Sequence, residues 1–373
     1  MRKKPDINRE YGIVLEGGGA RGAYQVGAWK ALKESGIRIK GVAGTSVGAL
    51  NGALICMDDL ERAEAIWKNM DYSRVFRTED GKLEQIKKLV TDRGLDIEPL
   101  KELIEDTLDE EKIKSSHCDF YVTALSLSDR REINFDVKSA PPGAMKDMLL
   151  ASAYFPGFKN EKLGGKTYMD GGSVNNVPVD VLVDKGYKDI IVIRIYGIGV
   201  DREKTFRIPE DVNIYRIAPR RNLGGILRFD KIRAMRNMTL GYYDGMRLIH
   251  DLVGRKYYID LPYSEAYYFD KLMSEIELFR AFLIPSKEKE EKEELSGYRL
   301  YTEKLFPALA QKFRLPPDWD YRDFYGAVLE LCARKLELEV FHIYTAEDII
   351  ADLIKRQQVR RNVEWLKMIE EGN

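Results

Sequence analysis

Apolar positions follow two rhythms over roughly the first two thirds of the chain. Residues 11–15, 37–43, 120–127, 132–137, 190–195 and 212–217 are short apolar or alternating runs and read as strands. Between them, 23–35, 47–57, 60–70, 83–91, 98–108 and 145–153 carry apolar residues at helical spacing. Strands alternating with helices predict an α/β fold with a mostly parallel central sheet between helical layers. From Ser264 onward the pattern turns helical, broken by the charge run 286–294, which reads as a solvated helix or linker. The last helix opens on the capping pattern Thr345-Ala346-Glu347-Asp348. Its apolar stripe of Ile349, Ile350, Leu353 and Ile354 is expected to pack on the α/β domain. The organisation expected is therefore an α/β domain over 1–262 and a mainly helical region over 263–373, to which no motif assigns a role.

Charge and composition narrow the class. The 373 residues are 44% hydrophobic, enough to bury a full core. With 60 basic and 61 acidic residues the net charge is −1, which argues against nucleic acid as a partner. No apolar stretch approaches the ~20 residues of a membrane span, and no apolar segment follows the basic N-terminus as in a secretion signal. The three cysteines, Cys56, Cys118 and Cys332, are odd in number and unpaired in spacing, which fits a reducing cytoplasm and offers no cysteine metal site. Cys56 reads as a small core residue. Neither a metal nor a cofactor is expected.

Chemistry enters through three glycine-rich segments. In Gly44-Thr45-Ser46-Val47-Gly48 a serine sits between a strand and a helix, where Gly44 and Gly48 leave room for a sharp bend that exposes its hydroxyl. The dipole of the following helix favours negative charge there by about 0.3–1 kcal/mol. The plainer alternative is a serine capping a helix in a glycine turn. Gly17-Gly18-Gly19-Ala20-Arg21-Gly22 follows the first strand and offers backbone N–H groups to an anion. It also satisfies G-x-G-x-x-G, but the acidic residue required at the end of the second strand is missing, since no Asp or Glu occurs between Glu34 and Asp58. Arg21 reads as a side chain that orders the loop through carbonyls, or as an ordinary surface arginine.

The third segment, Asp170-Gly171-Gly172, is by itself only a turn signal. It gains weight because a serine nucleophile needs a base. The chain has three histidines, His117, His250 and His342, and none lies in a motif. A triad in the order Ser, Asp, His would have to recruit His250 or His342. A Ser-Asp pair needs neither.

These residues resemble the patatin-like phospholipases, and bacterial members closely. Residues 15–27 look like that family's oxyanion loop and following helix, 44–51 like its nucleophile elbow, 151–158 like the segment before its aspartate, and 170–178 like the aspartate motif with a trailing Asn-x-Pro. The similarity extends over about residues 9–260. Glu16 occupies a position that varies in the family and attracts no particular expectation. The resemblance implies a patatin-like three-layer fold, Ser46 as nucleophile, Asp170 as proton acceptor, and Gly17, Gly18 and Gly19 as oxyanion donors. Arg21 and Gly22 would support the loop, and Gly171 and Gly172 would complete the aspartate motif.

The function expected is a serine lipid acyl hydrolase acting on phospholipids or related acyl lipids. An acyltransferase using the same groups and a low-turnover lipid-binding regulatory protein are the alternatives. Residues 216–236 hold seven basic residues and one acidic, interleaved with Ile226, Leu227, Phe229 and Ile232. This segment reads either as a helix with a solvated charged face or as a peripheral docking surface for anionic lipid at the inner membrane surface. Oligomeric state has no signature in the sequence.

Overall fold

The computed structural model describes residues 4–71, 75, 96–155, 162–283 and 297–371. The helix predicted at 83–91 and the charge run 286–294 lie outside the described residues. Contacts divide the chain into two units, Met1–Ile249 and His250–Asn373.

The first unit is built on a sheet of seven strands: β1 (Glu10–Leu15), β2 (Arg38–Thr45), β3 (Asp119–Ser126), β4 (Arg131–Asp136), β5 (Tyr168–Asp170), β6 (Asp189–Ile193) and β7 (Asn213–Ile217). Their spatial order is β4-β3-β2-β1-β6-β7, with β5 also pairing with β3. The pairings of β1 with β2 and β6, of β2 with β3, and of β6 with β7 are parallel. Those of β3 with β4 and β5 are antiparallel. Each of the six predicted strands is present. The seventh, β5, was unreadable because three residues between glycine pairs show no alternation.

Both faces of the sheet are covered, as parallel strands require. Val42 of β2 and Phe120 of β3 lie against Gly52 of α2 (Val47–Cys56), following α1 (Ala23–Glu34) in the chain. The next residues along those strands, Ala43 and Tyr121, pack with Val14 against Val179, Val181 and Leu182 from the short helix Val179–Asp184 on the opposite side. This is the three-layer arrangement expected. The chain runs to β2 on one side of β1 and to β6 on the other. Loops following β1, β2 and β6 therefore converge at the carboxyl end of the sheet, where open α/β folds place their sites.

The second unit has its own core, in which Tyr257, Tyr268, Phe279, Phe306, Phe324 and Tyr325 are fully buried. It is mainly helical, with a two-stranded parallel sheet of β8 (Tyr258–Asp260) and β9 (Ile343–Thr345). Val253, Tyr257, Ile259 and Leu261 belong to this core, so the division falls at 249/250, earlier than the expected 262/263. Thr345 and Asp348 form the reciprocal cap read from the sequence: Thr345 N–H donates to the Asp348 carboxylate at 2.8 Å and Asp348 N–H to the Thr345 hydroxyl at 3.2 Å. The stripe of the last helix departs from expectation. Ile349 and Leu353 are buried in the core of the second unit itself, and Ile354 is exposed. Among the described residues no helix is long and apolar enough to cross a membrane.

Two cysteines that look unrelated in sequence meet in space. α2 ends beside the start of β3, which brings the buried thiols of Cys56 and Cys118 to 3.0 Å.

Candidate active site

Ser46 occupies the single step between β2 and α2, with φ 56° and ψ −123°. A side chain in this left-handed region is strained, a cost of order 1–3 kcal/mol that the surroundings must hold in place. They do so through Ser152, fully buried at the end of the helix Met145–Ser152. The Ser46 N–H donates to the Ser152 hydroxyl at 2.8 Å, and that hydroxyl donates to the Thr123 carbonyl of β3 at 2.6 Å. The Ser46 carbonyl accepts the N–H groups of Ala49 and Leu50. The Ser46 side chain makes no capping hydrogen bond to α2, so this is not the simple capping serine weighed from the sequence. The flanking glycines have a definite steric cause. A Cβ on Gly44 would sit 2.5 Å from the Gly48 carbonyl oxygen, and one on Gly48 would strike the Leu15 carbonyl of β1.

Asp170 ends β5 directly across β3 from the elbow. Thr45 pairs with Thr123, and Asp170 pairs with Ala124, the next residue of the same strand. The Asp170 carboxylate accepts the Gly172 N–H at 2.7 Å, and the Ser46 side chain shares its cavity, near enough to favour the ionised carboxylate. Its own N–H donates to the Tyr154 carbonyl at 2.8 Å. A Cβ on Gly171 would collide with the Thr123 carbonyl, so this glycine lets β5 close against β3. Asp170 is 7% exposed, and burial pushes its carboxyl from 3.8 up to about 6, against the Ser46 hydroxyl and the Gly172 N–H, which favour the ionised form.

The glycine loop after β1 lies against the same place, with one correction to the sequence reading. The N–H of Gly17 donates to the Asn176 carbonyl at 3.2 Å and is not open to an oxyanion. The N–H groups of Gly18 and Gly19 have no partner among the described residues, and both glycines line the cavity that contains Ser46 and Asp170. Gly19 takes φ +54°, and its Cα faces the Ile226 carbonyl so closely that a Cβ would overlap it. Arg21 reaches from this loop to carbonyls of two neighbouring segments. Its guanidinium donates to the carbonyls of Gly224 at 2.7 Å, Ile195 at 3.3 Å and Tyr196. Gly22 touches Val47 and Trp67, where a side chain would not fit.

Glu16, passed over in the sequence, is a buried anchor. Its carboxylate accepts the N–H groups of Ile195, Tyr196 and Gly197 at 2.6, 2.9 and 3.1 Å, and pairs with Arg194 at 3.0 Å. Arg194 also pairs with Asp201 at 2.7 Å and with Glu203. The loop after β6 is thereby clamped beside the glycine loop. No local signal marks Glu16, Arg194 or Ser152, because each partner is distant in sequence.

The cavity has a volume of about 280 Å³. One end carries Ser46, Asp170, Gly18 and Gly19, and the rest of the wall is mostly apolar, including Leu54, Trp67, Met70, Leu100, Ile104 and Leu149, with Asn51, Thr107, Ser173 and Asn176 as its polar members. Leu100 and Ile104 come from the helix Glu98–Thr107, which the sequence pattern read only as a generic helix. None of the three histidines lines it, and all three are exposed. Among the described residues no cluster of His, Cys, Asp and Glu could hold a metal. Chemically, the arrangement pairs a strained hydroxyl and a raised-pKa carboxylate with two open N–H donors at the end of an apolar slot.

Residues 13–183 match the family model described as patatin-like phospholipase. The match stops short of the residue 260 suggested by the motifs. The chain is 33% identical over 192 residues to the patatin-like phospholipase domain-containing protein ZK370.4 of Caenorhabditis elegans, covering 50% of this chain and 14% of that protein. It is 30% identical over 186 residues to the neuropathy target esterase sws of Drosophila melanogaster, covering 49% and 13%. The chain thus spans about a seventh of the length of these relatives. Superposition on VipD from Legionella pneumophila gives a TM-score of 0.40 at 13% identity over 92% of this chain and 90% of that one.

Proposed function

We propose that this chain is a serine lipid acyl hydrolase that cleaves carboxylic ester bonds of phospholipids or related acyl lipids through a Ser46-Asp170 dyad. The observation that carries the reading is the placing of Ser46, on its strained turn, and the buried Asp170 carboxylate together at the polar end of one largely apolar cavity. The family match over 13–183 and the relatives named as phospholipase and esterase support the substrate class.

Ser46 Oγ attacks the ester carbonyl as its proton passes to Asp170. Negative charge on the former carbonyl oxygen is met by the N–H groups of Gly18 and Gly19, a contribution of about 2.7–4 kcal/mol per donor in such sites. The tetrahedral species collapses, and the departing alcohol takes the proton held by Asp170. Water then attacks the acyl-enzyme, giving its proton to Asp170, and Ser46 leaves with that proton while the fatty acid is released. A carboxyl raised to about 6 is ionised at neutral pH yet basic enough to accept a proton in the transition state. Acting in the cytoplasm at the inner membrane surface, with contact through 216–236, belongs to the same proposal.

The test is hydrolysis of p-nitrophenyl butyrate and of phosphatidylcholine, with fluorophosphonate labelling, by wild type and Ser46→Ala. Both activities and the label should vanish in the variant. A label that persists, or a wild type inert on both esters, overturns the reading.

A further inference from the structure

The rim of the cavity carries a surface that none of the chemistry above uses. Ile226, Leu227 and Phe229 line the cavity, as does Ile198 from the loop after β6. The two loops are neighbours, because Arg21 binds the carbonyl of Gly224 in one and those of Ile195 and Tyr196 in the other. Outward from this lip the apolar character continues into solvent. Ile198 is 77% exposed and Tyr196 and Val200 are also exposed, while across the lip Ile232 is 83% and Met235 52% exposed. Ile232 and Met235 stand three residues apart in the first turns of the helix Lys231–His250, hence on one face.

Single exposed apolar side chains are ordinary on soluble proteins. A group of them flanking the residues that line an apolar cavity is not, and the charge along 226–236 is mainly basic. Between 226 and 236 there are four basic residues and one acidic, Asp230. Asp230 is shared by Arg233 at 3.2 Å and Arg228 at 3.9 Å. Lys231 and Arg236, both exposed, have no acidic partner among the described residues. Arg233 is structural, packed against Gly224, whereas the cations flanking Ile232 and Met235 point to an external anion.

We infer that the rim formed by 196–200 and 226–236 docks on an anionic lipid bilayer, with Ile232 and Met235 entering the interface and Lys231 and Arg236 meeting headgroup phosphates. This inference rests on the reading of the cavity as an acyl-lipid site. Docking would bring the cavity mouth to the lipid surface, so that an acyl ester reaches Ser46 from the bilayer rather than from water.

The experiment measures sedimentation of the full chain with vesicles of phosphatidylcholine and phosphatidylglycerol in equal amounts, and with phosphatidylcholine alone. Wild type should sediment with the anionic vesicles and bind more weakly as salt is raised from low to physiological strength. Lys231→Gln with Arg236→Gln should weaken binding about 25-fold, at roughly 5-fold per cation, and Ile232→Glu with Met235→Glu by at least 10-fold. Both variants should unfold within a few degrees of wild type and hydrolyse p-nitrophenyl butyrate within twofold of it. Wild type that stays in solution, or either double variant bound as tightly as wild type, overturns the inference. So does a wild-type dimer that Ile232→Glu with Met235→Glu dissociates, which would make the rim a contact between copies. Loss of soluble-ester hydrolysis in wild type would count against the hydrolase reading alone, because vesicle binding is scored separately.

Discussion

The N–H of Ser46 donates to the hydroxyl of Ser152, 2.8 Å away, and this bond holds Ser46 in a left-handed backbone that its side chain disfavours. Ser152 touches no reacting atom. In the proposed mechanism it is a positioning residue, tying the turn at Ser46 to the Thr123 carbonyl on β3.

Ser152→Ala is therefore expected to lower kcat on a soluble ester by about 10-fold or more with KM little changed, because the relaxed elbow costs attack geometry rather than binding. Leaving the Ser46 N–H unsatisfied should also cost about 1–3 kcal/mol of stability. Steady-state kinetics with thermal unfolding separates the two effects. A lower Tm with kcat intact would restrict Ser152 to a structural role.

Asp170→Asn should be nearly as inactive as Ser46→Ala, yet more stable than wild type at alkaline pH. The folded chain holds the Asp170 proton more tightly than the unfolded chain, from 3.8 to about 6. Its contribution to stability is full below about pH 4 and is lost as pH rises through 6, amounting to about 3 kcal/mol. Unfolding curves at pH 4 and pH 8 should show the variant's advantage only at the higher pH.

Activity should fall on the acid side with a single-proton limb near pH 6, as Asp170 becomes protonated. Replacing His117, His250 and His342 together by Gln should leave both the limb and most of the rate in place. A folded histidine-free protein without activity would bring back a triad.

Gly19 and Glu16 should respond differently. Gly19→Val places a side chain against the Ile226 carbonyl and disturbs an open donor, so turnover should drop about 10²–10³-fold. Glu16→Gln keeps the size but removes the charge that pairs with Arg194 and gathers three N–H groups, with an expected loss of several kcal/mol in stability and slower turnover. Neither NAD nor ATP should shift the wild-type Tm, which thermal scans with each nucleotide would check.

The elbow was legible because its evidence is local: strand, glycine, serine, glycine, helix. The sheet was legible for the same reason, since strands with both faces covered are apolar in sequence. What escaped depends on partners far along the chain. Gly17 looks like its two neighbours until Asn176 claims its N–H. Glu16 reads as an incidental acid until the loop after β6 folds back on it. β8 and β9 are three residues each, too short to show a period, and only their pairing reveals that the second core begins before residue 262.

The frame around Ser46 and Asp170 is closed to drift. Gly44, Gly48 and Gly171 each face a backbone oxygen with no space for a methyl group, so substitution there would dislodge a strand rather than adjust a side chain. The wall built from Leu54, Trp67, Met70, Leu100 and Ile104 is made of exchangeable side chains on helices and connecting segments. Divergence among descendants of this chain should therefore accumulate in the wall and alter which acyl groups fit, while the reaction stays the same.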